Sequence, residues 1–513
     1  MGAIEVIRGS PRRGEESRRG QPATPGDTDG SGSGLGRHSG GEGVDAQSRE
    51  VTLAAMPPTD VSAADPSHAW PAPHATSPVR GRVAVPGSKS MTNRALILAA
   101  ISDGPSRITG ALLARDTELM IGALRALGAG IHVKGASIDV EPMAIGAPLS
   151  GNEHARAAAA TEIDCGLAGT VMRFVPAIAG LSFGTFTFDG DAAARLRPMH
   201  ALVSALHDLG VRIEADCGSL PITIDATGSV PGGFVEIDAS ASSQFVSALL
   251  LAGAAFKNGL TLSTNGRRVP SAPHIEMTIS MLSNHGVHVS TEFSEDGRVR
   301  WLIEPTVVQA FDRVVEPDLS NATPFIAAAA VTGGEVSVDN WPAESTQPGV
   351  RMLPLLTDMG CDVTWEPVTP TSGTLLVVGP AKLKPIDADM GDLGELVPTL
   401  AAVCMFAEGT SRLRNISHIR GHETDRIAAL VTIASAVGAP CASDESDLHI
   451  TGIPAAGLND ATPVTLPSFD DHRLATAGAI IGLRKQGVLV ENIATTAKTM
   501  PEFPNLWAGL VQP

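Results

Sequence analysis

Cations stand where helices do not favour them. GSKSMTNRALILAA, CGLAGTVMRFVPAIAG, GHETDRIAAL and SFDDHRLATAGAII each read as the start of a helix. They place Lys89 with Arg94, then Arg173, Arg426 and Arg473, in or near the first turn. A helix N-terminus carries roughly half a positive charge, so a cation there costs about 0.3–1 kcal/mol unless an anion lies nearby. Free N–H groups at that end bind anions, and Arg adds bidentate recognition of phosphate or carboxylate. A single motif divides evenly between an anion site and a surface cap in which Asp425 pairs with Arg426, and Asp470 or Asp471 with Arg473. Four motifs in equivalent frames favour a polyanion pocket. ASSQFVSALLLAG adds Ser242, Ser243 and Gln244 as donors, although serine there is usually a plain cap. Arg197 in RLRPM and Lys498 in TTAKTMPEF join the set. So many cations suit two phosphorylated carboxylic acids, each phosphate carrying about −1.5 to −2.

Proton transfer falls to carboxylate and imidazole: Glu395 in GDLGELVPTL, and His422 and Glu423 in GHETDR. Neighbouring cations lower a carboxylate pKa and suit a base, whereas burial raises it towards an acid. Taken alone, Glu395 reads as an ordinary glutamate near a helix start. PGSKS lacks Walker A spacing, HETDR is not HExxH, and there is no GxSxG elbow, which disfavours a nucleotide kinase, a zinc hydrolase and a serine hydrolase. No other zinc ligand set is found in the sequence.

Positioning these residues is the task of a 513-residue chain with 43% apolar residues, long enough for more than one domain. Its longest apolar run, near Phe245 to Phe256, falls short of the ~18–20 residues of a membrane span. The net charge of −18 argues against nucleic acid or anionic membranes as partners and asks for a focused anion site. Five cysteines without a CxxC pair fit a reducing, cytoplasmic setting. Residues 1–77 are Gly-rich and aperiodic and read as disordered, without the apolar core of a secretory signal. The alternation Val79–Val85 reads as the first strand.

Beyond it the chain repeats itself. Helical runs end at Gly104, Gly184, Gly259, Gly334, Gly409 and Gly487, each followed by an alternating strand. A second helix type ends at Gly128, Gly210, Gly286, Gly360 and Gly438, with a truncated copy near Gly509. Glycine after a helix supplies a left-handed position, so both series mark helix-to-strand junctions. Six copies of one α/β module result, about 73 residues each, grouped three per domain.

In order and spacing, PGSKSMTNRAL, GLAGTVMRF, SSQFVSALLLAG, TSRLRNI, HETDR, DDHR and AKTMPEF resemble the EPSP synthases, the 3-phosphoshikimate 1-carboxyvinyltransferase family, over about residues 78–513. The resemblance implies an α/β fold of two globular domains, each of three βαβαββ units in an inside-out α/β barrel, with the active site in the cleft between them. It assigns 78–87 with 316–513 to one domain and 88–315 to the other. It implies enolpyruvyl transfer from phosphoenolpyruvate to the 5-hydroxyl of shikimate 3-phosphate, releasing phosphate through a tetrahedral intermediate without metal or cofactor, and a monomer is expected. Carried over by motif, Lys89, Ser90 and Arg94 resemble ligands of shikimate 3-phosphate, with Lys89 reaching both substrates. Ser242, Ser243, Gln244 and Ser271 match its phosphate and ring contacts. Gly169, Arg197, Arg426, Arg473 and Lys498 are similar to the phosphoenolpyruvate site. Glu395 matches the carboxylate that takes the hydroxyl proton, and Glu423 the group exchanging a proton with the methylene carbon. Glu395, Glu423, Lys89 and His422 are the catalytic candidates.

Four positions depart from many members: Glu395 for Asp, His422 for Lys, His274 for Tyr and Leu167 for Asn. Histidine at 422 titrates near pH 6.5, so phosphoenolpyruvate binding is expected to weaken as pH rises. The related UDP-N-acetylglucosamine transferases use a loop cysteine, and GDAAARLRP has none. A non-catalytic polyanion binder is disfavoured by the intact Lys89, Glu395, Glu423 and Lys498.

Overall fold

The computed structural model describes residues 69–146, 160–216 and 218–511. The repeat read from glycine spacing appears as one module built again and again. In the module Thr161–Thr227, strand Thr161–Asp164 leads through helix Gly169–Ala179 to the parallel strand Phe183–Asp189. Helix His200–Asp208 then leads to the antiparallel pair Ile213–Ala215 and Ile222–Thr227. This is βαβαββ, and five four-stranded sheets share its strand order. Gly128, Gly210, Gly286, Gly360 and Gly438 all have φ between +74° and +104°, the left-handed helix end that the sequence marks.

Two sheets borrow their first strand from a distant part of the chain. Arg80–Val83 pairs in parallel with Glu335–Val338, and Arg313–Val314 with Ile108–Thr109. The chain therefore crosses twice between the two sets of modules, and the crossings touch: Ser88 N donates to Glu316 O at 2.8 Å and Asp318 N to Pro86 O at 2.8 Å. Gly87 lies between them, where a Cβ would stand 1.9 Å from Gly110 O, so no larger residue fits.

The sixth sheet has three strands, and its outer one is unexpected. The sequence places residues 69–77 in a disordered tail. Instead, Trp70–Pro71 pairs antiparallel with Leu489–Val490, and Ala72 N and Ala75 N donate to Val488 O and Leu483 O. Two residues are too short for a period-2 signal, and the edge of the sheet supplies their hydrogen bonds. Residues 1–68 of that expected tail lie outside the described residues.

Buried apolar side chains form two cores, one drawn from Met91–Val315 and one from Val79–Val85 with Leu319–Leu510. At the centre of each lie three helices that touch one another: Lys89–Ala100, Gly169–Ala179 and Ser243–Gly253 in the first, and Leu319–Thr332, Val397–Cys404 and His472–Arg484 in the second. They are buried almost all round, as helices without a polar face must be. The sheets lie outside them. The fold is α/β with an inside-out arrangement, helices within and sheets without.

Candidate active site

All six central helices bring their N-terminal ends, or the residues just before them, to one cavity of about 1080 Å³. Ser88, Lys89 and Ser90 come from the first; Gly169, Thr170 and Arg173 from the second; Ser242, Ser243 and Gln244 from the third. Asp318 with Ser320, then Glu395, then His472 with Arg473 come from the other three. None of these helices carries an acidic residue in its first turn. Asp318 and Asp471 cap two of them from the preceding residue, and the partial positive charges of the other four add at the cavity.

Six of the seven cations line the cavity: Lys89, Arg173, Arg197, Arg426, Arg473 and Lys498. They differ in what they already hold. Lys89 Nζ is 3.2 Å from Asp116, Lys498 Nζ 2.8 Å from Glu423, and Arg173 donates to Gln244 Oε1 at 2.7 Å. Arg426 binds the fully buried Asp471 through Nε at 2.7 Å and one terminal nitrogen at 3.1 Å, and also Glu423 at 3.0 Å. Asp471 thus serves Arg426 from another module rather than its neighbour Arg473, and Asp425 pairs with Arg420. The local-cap reading of both arginines is corrected: the acids adjacent in sequence are taken elsewhere. Arg197 and Arg473, 8% and 6% exposed, form no ion pair with any described residue and face the cavity. A Cβ on Gly169 would come 3.2 Å from the Arg197 guanidinium, so glycine there lets Arg197 lie against the helix start.

Arg94 is the candidate that does not line the cavity. Its guanidinium donates to Thr278 Oγ1, Ser247 Oγ and the carbonyls of Ser90 and His274 at 2.8–3.2 Å. Burial pulls it down to about 9, so it remains protonated at neutral pH. Lying one turn deeper than Lys89, it holds the backbone behind Ser90 and His274. Ser271 and His274, at and just after the start of helix Ala272–Asn284, do reach the cavity.

The carboxylates are poised differently. Burial alone would raise Glu395, but His274, Arg473 and a hydroxyl hydrogen bond from Ser320 outweigh it and hold it below the usual range. Burial is likewise outweighed at Glu423 by Lys498, Arg426 and Arg197. At Asp318 burial wins over Arg473 and two backbone N–H groups, and the pKa is raised. Shifts of both signs within one cavity are characteristic of a working site.

His422 overturns an expectation. Its Nδ1 lies 2.9 Å from an Arg426 terminal nitrogen, which can only donate, so the ring is an acceptor and uncharged. Burial and Arg426 both push it well below 6.5. A charged His422 near neutral pH, and the pH-dependent binding expected from it, are not supported. Sequence reasoning also missed Asp318, Ser320, Gln347, His418 and His472, all in the cavity wall. Asp318 caps helix Leu319–Thr332 through Asn321 N, and His472 sits in the DDHR motif without a signal of its own.

The cavity is closed by contacts between its two sides. Ser271 N donates to Gly391 O at 3.2 Å, Lys498 Nζ to Leu167 O at 3.4 Å, and Arg268 lies 3.6 and 3.5 Å from Asp389 and Asp392.

A family model for EPSP synthase (3-phosphoshikimate 1-carboxyvinyltransferase) matches residues 73–507. This chain belongs to the EPSP synthase family. A curated 3-phosphoshikimate 1-carboxyvinyltransferase of Mycobacterium ulcerans (strain Agy99) is 46% identical over 449 residues, covering 86% of this chain and 98% of that protein. Among solved structures, an EPSP synthase from Acinetobacter baumannii matches with TM-score 0.68 at 24% identity, over 86% of this chain and 97% of that one. The enolpyruvyl transferase NikO from Streptomyces tendae matches with TM-score 0.62 at 17% identity, over 85% and 96%. These two establish a shared fold. Among the described residues, no helix is long and apolar enough to cross a membrane.

Proposed function

We propose that this cavity transfers the enolpyruvyl group of phosphoenolpyruvate to the 5-hydroxyl of shikimate 3-phosphate, as a 3-phosphoshikimate 1-carboxyvinyltransferase of aromatic amino-acid biosynthesis. The observation that carries the residue assignment is the meeting of six helix N-termini with two unpaired arginines, Arg197 and Arg473, between Glu395 and Glu423. Lys89, Ser90, Ser242, Ser243, Gln244 and Ser271 hold shikimate 3-phosphate. Gly169, Arg197, His422, Arg426, Arg473 and Lys498 hold phosphoenolpyruvate. Arg94 acts from behind the wall, through Ser90 and His274.

Glu395 takes the proton of the 5-hydroxyl as its oxygen bonds to C2 of phosphoenolpyruvate, and C3 gains a proton from Glu423. Collapse of the tetrahedral adduct breaks the C2–O bond to phosphate, which leaves with the proton Glu395 had taken, and returns a proton from the methyl group to Glu423. With Lys498 and Arg426 against it, Glu423 is held ionised. Phosphate and carboxylate groups arriving beside it engage those cations and add negative charge, which raises its proton affinity towards that of an acid. Two buried cores support two domains, 78–87 with 316–513 and 88–315, joined at Gly87 and Glu316. Closure of one on the other excludes water from the reaction. Four described cysteines, all free, fit the cytoplasm.

The test is phosphate release from phosphoenolpyruvate with shikimate 3-phosphate, against UDP-N-acetylglucosamine as acceptor. Turnover with the first and its loss in Lys89→Ala are expected; turnover with neither acceptor refutes the reading. Glu423→Gln is expected to bind both substrates and lose about 10²–10⁴ in kcat.

A further inference from the structure

Both oxygens of Glu423 are held: Oε1 accepts from Lys498 Nζ at 2.8 Å and Oε2 from an Arg426 terminal nitrogen at 3.0 Å. Arg426 is in turn clamped by Asp471, which is fully buried. Asp471 and Lys498 come from neighbouring stretches of chain. The parallel strands Val464–Leu466 and Val488–Val490 leave their sheet side by side. The first runs through Ser468 and Asp471 into helix His472–Arg484, the second through Asn492 into the 3-10 helix Ile493–Lys498.

Outside the cavity these two exits are tied together. Asn492 Nδ2 donates to Asp470 Oδ1 at 2.6 Å, and Thr495 Oγ1 donates to Asp470 O at 2.8 Å. The contacts form a closed ring: Asp470 to Asn492, along the 3-10 helix to Lys498, across Glu423 to Arg426, and through Asp471 back to its neighbour Asp470. The backbone is unusual where the ring closes. Phe469, Asp470 and Asn492 have φ of +53°, +55° and +45°, a left-handed region uncommon for residues other than glycine and least suited to a bulky one. Such conformations persist where the surrounding structure fixes them. Asp470 and Asn492 are both exposed and neither lines the cavity, so neither ligand contact nor core packing accounts for their pairing.

Resting on the transferase reading, we propose that Asp470 and Asn492 are positioning residues: their hydrogen bond sets the spacing of Asp471 and Lys498, and through them the direction in which Glu423 presents its carboxylate to the methylene carbon of phosphoenolpyruvate. The pair works from outside the cavity and touches no substrate.

The test exchanges the two members of the pair, with kcat, the KM for shikimate 3-phosphate and the urea midpoint measured on the full chain. Asn492→Gly keeps the left-handed backbone and the charge but loses the amide, and Asn492→Asp sets two carboxylates, acceptors only, against each other. Each should lower kcat about ten- to a hundredfold, as misplacing a reacting group by about 1 Å does, and leave that KM within about twofold. Adding Asp470→Asn to Asn492→Asp restores a donor and an acceptor in the reverse direction, so kcat should return to within about threefold of the wild type. A kcat that both single variants leave unchanged, whatever the urea midpoint does, overturns the proposal, and so does a loss that the exchanged pair fails to restore. If the wild type turns over neither acceptor, the transferase reading fails by itself, and the tie is read without turnover. The chain has seven lysines, few enough to follow one by one after reductive methylation with carbon-13 formaldehyde. The Lys498 resonance, assigned with Lys498→Arg, should move in Asn492→Asp and return in the exchanged pair; a resonance that stays in place overturns the tie.

Discussion

His274 Nε2 stands 3.5 Å from Glu395 Oε2, the imidazole reaching from helix Ala272–Asn284 and the carboxylate from the loop before helix Val397–Cys404. Each residue belongs to a different half of the chain, so the pair exists only when the cavity is closed. By the family resemblance both are departures, Glu for Asp and His for Tyr. If Glu395 is the base of the proposed reaction, the contact with His274 fixes its orientation.

Coupling between them is the first expectation. Glu395→Asp and His274→Tyr should each reduce kcat, and the double variant should depart from additivity by about 0.5–3 kcal/mol, as residues in contact do. Double-mutant kinetics check it; additivity within roughly 0.5 kcal/mol would show two independent substitutions.

Arg94 carries a stability prediction rather than a binding one. Arg94→Ala leaves Thr278, Ser247 and two carbonyls short of their donor. Each buried group left without a partner costs about 1–3 kcal/mol. Urea unfolding should show a loss of several kcal/mol, and an unchanged midpoint would return Arg94 to the ligands.

The strand Trp70–Pro71 can be tested from its partner helix. A Cβ on Gly482 would stand 2.4 Å from Ala72 Cβ, and both atoms are tied to backbone. Alanine inside a helix gains about 0.5–1 kcal/mol over glycine, whereas overpacking costs about 1–3. Gly482→Ala should therefore be net destabilising and should open residues 70–76 to limited proteolysis. Protection equal to the wild type would show that the strand can shift to accommodate it.

Acid should weaken the fold in two steps. Burial with Arg268 and Arg426 lowers His418 to about 4, and burial with neighbouring arginines lowers His422 and His472 well below 6.5. For a histidine with a depressed folded pKa the unfolded chain binds more protons, so stability falls as pH drops below about 6.5. Glu395 and Glu423, also depressed, add stability above about 4.5 that is lost on further acidification. Asp318, raised by burial, works in the opposite sense. Urea midpoints should decline from pH 7 to 5, and less steeply in His422→Gln; a flat profile contradicts the neutral, buried histidines.

Much of this molecule is local information. Glycine spacing registers the helix-to-strand junctions, where these glycines take the left-handed conformation except at Gly104 and Gly334, and the six-fold repeat follows from it. Cations at helix starts announce an anion site for the same kind of reason: the cost falls within one turn. What the local pattern could not assign is which acid each arginine holds. Arg426 passes over the adjacent Asp425 for Asp471, 45 residues away, and Lys498 meets Glu423 across 75.

From residue types and spacing alone come the module, its number, the family resemblance and the set of cations that belong together. The tertiary structure decided their division of labour: Arg94 buried behind the wall, Arg197 and Arg473 free to meet a ligand, and His422 neutral. The physical reason is range. Helix ends, turns and dipoles act over a few residues and leave their mark in sequence, whereas charge state and hydrogen-bond direction depend on groups brought within about 3 Å by folding.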